Sequence, residues 1–232
     1  MSETAAQTTI VIPVAGRLTR DGELLRFVGR HGAVTVEQVM AALGVGRTAA
    51  YRRVAACVER GLLERLSLLR DEPSLLRATR DGLRYAGLGL PVAVISPGSV
   101  THWLRCASVA LSLEEQFGSD RVLTERELRA AEQVEGAPIA SAKVGELASG
   151  EPRLHRPDLA VLTDDGTIAV EVELTPKAPR RLEDLIRAWR RASWVAEVRY
   201  LCAPGQTRRA VERAVQKVRA ESRVSIEDLG SR

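Results

Sequence analysis

The segment HRPDLAVLTDDGTIAVEVELTPK, residues 155 to 177, limits the fold more than any other part of the chain. Two runs of Leu, Val, Ile and Ala are joined by Asp164-Asp165-Gly166. A carboxylate-glycine pair between apolar runs signals a hairpin, because glycine admits the backbone angles of a tight turn. Strands are therefore expected over 158–163 and 167–174. Side chains alternate along a strand, so Glu171 and Glu173 share one side while Val170, Val172 and Leu174 turn to the core. Asp158 opens the first run. Three readings follow: a centre for Mg²⁺ or Mn²⁺, the remains of one, or a hairpin with a charged outer face.

Periodicity supplies the neighbouring elements. The stretch SVTHWLRCASVALSLEEQFG sets Trp103, Leu104, Ala107, Leu111 and Leu113 along one side of a long helix. A strand at DRVLTE and a short helix at ERELRAAEQ come next. Residues 134–154, rich in small side chains and without a period, read as a mobile loop. Beyond the hairpin lie helix 180–195, strand 197–202, helix 207–219 and a last strand near 222–227.

This order resembles the PD-(D/E)xK nuclease-like fold, with Pro157-Asp158 matching its first acidic element and Glu171-Val172-Glu173 its second. The resemblance implies Mg²⁺ or Mn²⁺ held by Asp158, Glu171 and Glu173 beside a scissile phosphate. The chain departs from the pattern at its lysine, whose place Glu173 takes; a carboxylate adds a ligand but no positive charge. Lys177 lies four residues on, roughly 13 Å along an extended strand, so it completes the catalytic set only if the chain turns back at Pro176. Arg187 and Arg190 on the next helix are other sources of positive charge, though an arginine cannot serve as a base. His155 reads as a group that positions phosphate or water, or as a structural histidine, and Glu114 and Glu115 as extra acids for the site or as solvent-exposed acids.

The first ninety residues form a second unit. DGELLRFVGRHG gives a helix with Leu24, Leu25, Phe27 and Val28 on one side and a glycine at its end. Thr35 caps a second helix with the stripe Val36, Val39, Met40 and Leu43, and GVG at 44–46 breaks it. A third helix, about 47–60, turns Ala50, Val54, Ala55 and Val58 inward and offers Arg47, Thr48, Tyr51, Arg52 and Arg53 on its other side. Two short strands around DEPS and a Thr-x-x-Gly helix start follow. This unit resembles the winged helix-turn-helix domains, in which the third helix enters the major groove of duplex DNA. Carried over by position, Arg47, Thr48, Tyr51 and Arg52 face bases or phosphates, and Arg53 and Arg70 contact phosphates.

The fold class expected is thus two-domain, α+β or α/β: a winged helix over 18–90, a linker at 91–99, and a nuclease-like mixed sheet flanked by helices over 100–232. Together, HRPDLAVL, IAVEVELTPK and RLEDLIRAWRRASWVAEVRYLCAP behind a winged helix also resemble the replication-relaxation family of plasmid and mobile-element proteins. That resemblance implies double-stranded DNA as the partner. The competing readings are a Mg²⁺-dependent endonuclease and a dimeric transcriptional regulator whose subunits meet through the helix bearing Trp189 and Trp194.

Composition narrows these classes. Net charge is +4, and Thr175–Ala220 carries 12 Lys or Arg against 4 Asp or Glu, which favours a polyanionic partner. Aromatic content of 3% argues against a single-strand binder built on stacked bases. Cys57, Cys106 and Cys202 are too scattered for a zinc knuckle or disulfide framework and read as buried thiols of a reducing cytosol. No apolar run approaches the roughly 20 residues of a membrane span, and no phosphate-cradling glycine loop points to ATP.

Overall fold

The computed structural model describes residues 19–67 and 74–230. Arg70 and Asp71, Glu72 and Pro73 of the DEPS tip lie outside the described residues, as does the apolar stretch near residue 10.

The chain is mixed α+β. Its first unit is α1 (Arg20–His31), α2 (Val36–Leu43), α3 (Arg47–Glu59), the antiparallel pair β1 (Leu63–Leu66) and β2 (Leu75–Ala78), and α4 (Arg80–Tyr85). Thr19, Thr35 and Thr79 each accept a backbone N–H at a helix start, and at α2 Gln38 reciprocates to form a capping box. Leu24, Leu25, Val28, Val39, Ala50 and Val54 fill the core. Ala55, expected inside, is exposed; Cys57 takes that place, because it lies seven residues from Ala50 and three from Val54. Gly82 is required where α4 approaches the chain entering β1, since a Cβ there would stand 2.1 Å from the Leu62 carbonyl oxygen.

Residues 91–99 are not a free spacer. Ala93 is buried, its carbonyl accepts from Arg77, and a 3-10 turn at Pro97–Ser99 leads into α5 (Val100–Phe117). The two units share a packed junction. Gln38 donates to the Leu104 carbonyl at 2.7 Å, and buried Arg30 reaches Glu114 and Glu127, both at 2.7 Å, and the Val122 carbonyl. Glu114 is therefore a junction residue rather than an exposed acid, whereas Glu115 is exposed.

After α5 come β3 (Val122–Thr124), α6 (Glu125–Glu135), β4 (Ala142–Glu146), β5 (Pro152–His155), β6 (Leu159–Thr163) and β7 (Gly166–Glu173). They are followed by α7 (Pro179–Arg191), β8 (Val195–Cys202), α8 (Gln206–Val218) and β9 (Val224–Asp228). The five-stranded sheet runs β3-β6-β7-β8-β9, antiparallel from β3 to β7 and parallel from β7 to β9. The Asp164-Asp165-Gly166 turn joins β6 to β7, with Gly166 at φ 123°. One face packs α5 through Ala110 and Leu113 against Ile168 and Val170. The other packs α7 and α8, with Leu182, Ile186, Trp189 and Val215 against Ala169, Val198 and Tyr200.

The segment 134–154 contains an ordered ribbon, β4 paired with β5, where a mobile loop was expected. Its anchor is Glu132, whose buried carboxylate accepts the N–H groups of Ile139, Ala140 and Ser141 and the Ser141 hydroxyl. Four donors to one anion hold the strand entry in place. Trp194, 42% exposed, ties the ribbon to the end of α7 by donating to the Ser141 carbonyl.

Candidate nucleic-acid interface and carboxylate site

On α3 the expected binding face is largely free. Arg47, Thr48, Tyr51 and Arg52 are exposed, and the Arg47 guanidinium lies 5.5 Å from the centre of the Tyr51 ring. Arg53 differs: it is half-buried and its guanidinium is 2.9 Å from Asp21, which also pairs with Arg60. It is committed to holding α3 against α1, which leaves less of its charge for a phosphate.

Asp158, Glu171 and Glu173 lie near one another, but not as an exposed hairpin face. Glu171 is 3% and Glu173 5% exposed, because β7 is covered on both sides once it pairs in parallel with β8. Each carboxylate has its own basic partner. Asp158 Oδ1 is 2.8 Å from His102 Nε2, and its Oδ2 accepts the Val172 N–H at 2.7 Å. Glu171 meets His155 Nε2 at 2.6 Å, with the imidazole set edge-on to Trp189. Glu173 pairs with Lys177, so the chain does turn back after β7 and returns an ammonium to the site. Arg187 and Arg190 point elsewhere, Arg187 to Glu183 and Asp184, and Arg190 to the Val218 carbonyl.

The protonation behaviour follows from these pairs. Burial pulls the His155 imidazole down, but the charge and hydrogen bond of Glu171 outweigh it and leave the pKa raised. The Asp158 hydrogen bond raises His102 against its partial burial. Burial lifts the Glu173 carboxyl, Lys177 opposes this, and the charges of Glu171 and Asp158 add to the rise.

Among the described residues, Asp158, Glu171 and Glu173 do not come together as a three-atom ligand set. The set whose ligand atoms all lie within 4.8 Å of one another is His102, Cys106 and Asp158. Sequence reasoning missed His102 and took Cys106 for a plain buried thiol. A signal was present, since a His and a Cys four residues apart on a helix share a face; their partner 52 residues beyond Cys106 was not visible.

A basic groove of about 690 Å³ runs between the β4–β5 ribbon and α7. Arg153, Arg181, Arg187 and Arg191 line it, with His155 at its wall. The C-terminal excess of arginine is thus partly gathered along one channel that reaches the Glu171 partner.

Compared with family models and with curated proteins, the chain matches none. Among the described residues, no helix is long and apolar enough to cross a membrane.

Proposed function

We propose that this chain binds duplex DNA, its first unit acting as a winged helix-turn-helix that lays α3 in the major groove. The observation that carries this reading is the row Arg47, Thr48, Tyr51 and Arg52, exposed on one helix within six consecutive positions. The major groove is wide enough for one helix, and arginine fits both guanine edges and phosphates. The second unit, read as a nuclease-like domain, adds phosphate contacts through the groove lined by Arg153, Arg181 and Arg191. The resemblance to the replication-relaxation family extends this proposal to plasmid or mobile-element DNA.

The test is duplex binding by fluorescence anisotropy across a range of salt. Affinity should fall steeply as salt rises. Arg47→Ala with Arg52→Ala should weaken binding and reduce the salt slope by roughly one counterion for each phosphate left unneutralised. Affinity that ignores both salt and these substitutions sinks the proposal.

A second reading, a Mg²⁺- or Mn²⁺-dependent endonuclease, is favoured by one observation: Lys177 returns to Glu173 beside Asp158 and Glu171. Nicking of supercoiled DNA by the purified chain, abolished in both Asp158→Ala and Glu171→Ala, would establish it. A mobility shift without nicking leaves the binder.

A further inference from the structure

We infer that His102, Cys106 and Asp158 form a site for a soft divalent metal ion, with Zn²⁺ the ion its chemistry selects. His102 and Cys106 stand one turn apart on α5, and Asp158 enters from the connection between β5 and β6. Cys106 Sγ is 3.4 Å and Asp158 Oδ1 2.8 Å from His102 Nε2. With bonds of roughly 2.0–2.3 Å, tetrahedral Zn²⁺ sets its ligand atoms roughly 3.3–3.8 Å apart. The thiol and imidazole already stand at that separation, and the carboxylate needs to withdraw by less than an ångström.

The surroundings suit a cation. Burial, followed by the charges of Asp158, Glu171 and Glu125, pushes the Cys106 thiol well above its usual range. The same negative field attracts a metal, which then stabilises the thiolate. Binding releases the thiol proton and, where His102 is protonated, the imidazolium proton. Asp158 is oriented for ligation by the Val172 N–H on its other oxygen. Arg30, nearby, is neutralised by Glu114 and Glu127, and Arg126 donates to the Pro91 carbonyl.

All three ligands line one cavity of about 50 Å³, room for roughly one to two waters. A three-residue set opening on such a space leaves the fourth tetrahedral position to water or a small anion. Thiolate and imidazole favour Zn²⁺ over Mg²⁺, which prefers an all-oxygen shell. This site stands apart from DNA binding, and it shares only Asp158 with the endonuclease reading.

The full chain, freed of metal by chelator dialysis, is titrated with Zn²⁺ by calorimetry and with Co²⁺ by absorption. One equivalent should bind, with a thiolate-to-cobalt charge-transfer band that Cys106→Ser abolishes. His102→Ala should weaken Zn²⁺ at least about tenfold, and excess Mg²⁺ should displace neither ion. X-ray absorption at the zinc edge of the unsubstituted chain should show one sulfur neighbour among nitrogen and oxygen, a readout independent of whether the variants fold. Absence of stoichiometric binding, a metal shell without sulfur, or affinity retained in both variants overturns the site.

Discussion

The outer face of α3 and the carboxylate cluster at β6–β7 both gather charged side chains, but they treat them in opposite ways. On α3, Arg47 and Arg52 extend into solvent, and among the described residues neither takes part in an ion pair, while Arg53 at the flank is already engaged by Asp21. In the cluster each of the three acids is matched within the chain, Asp158 to His102, Glu171 to His155 and Glu173 to Lys177. An exposed, unmatched cation costs the fold almost nothing and remains available to a polyanion. A buried carboxylate must be compensated where it stands, so its partner contributes to folding before it contributes to any chemistry.

Acid gives the largest effect that separates the two regions. His31, buried at the junction beside the Asp158 cavity, has its pKa lowered to about 3 by burial and then by the charges of Arg30 and Arg126. The fold excludes a proton that the unfolded chain accepts, so stability is lost as pH falls from about 6.5 toward 3, by roughly 4 to 5 kcal/mol in total. The raised His102 and His155 have the opposite sign: their contribution is complete below about 6.5 and is lost as pH rises through their folded values. Urea denaturation at stepped pH should show the acid loss, and His31→Gln should flatten it; an unchanged acid limb in that variant removes His31 as the cause.

Next in size, His155→Ala leaves Glu171 buried without its partner and should cost about 3 to 5 kcal/mol in denaturation midpoint measurements. Glu171→Gln, which retains a hydrogen-bonding group toward His155, should cost less. Equal losses for the two would mean that the pair acts through packing alone.

The smallest effects lie on α3. Arg52→Ala should move stability by no more than about 0.5 kcal/mol while weakening DNA binding and its salt dependence. Arg53→Ala should do the reverse, losing up to about 1 kcal/mol of stability with less change in the salt slope. Thermal melts and anisotropy on the same preparations read both quantities, and matching behaviour of the two arginines would erase the difference between them.

Local chemistry was legible throughout. Thr35 and Gln38, Thr79 and Gly82, and the Asp164-Asp165-Gly166 turn act within a few residues, so their helices and hairpin emerged close to the expected bounds. The β4–β5 ribbon was not legible, because its order depends on Glu132 reaching back to residues 139–141 rather than on any apolar period. Of the three readings open for Glu171 and Glu173, the exposed charged face fails for a similar reason: alternation shows that two residues share a side, not that a helix will cover it.

By itself the sequence determined where the chain turns, which helices begin where, that Asp158 stands at the entry to one strand and Glu171 and Glu173 on the next, and that arginines crowd one side of α3, since all of these arise from interactions between near neighbours. Only the tertiary structure decided which charges are buried and by whom they are answered. Pairing β7 with β8 sealed Glu171 and Glu173 beneath α7 and α8, the turn after β7 returned Lys177, and packing α5 on the sheet brought His102 and Cys106 to Asp158. Desolvation and charge pairing act across space, and no local pattern of residues encodes which distant group will arrive.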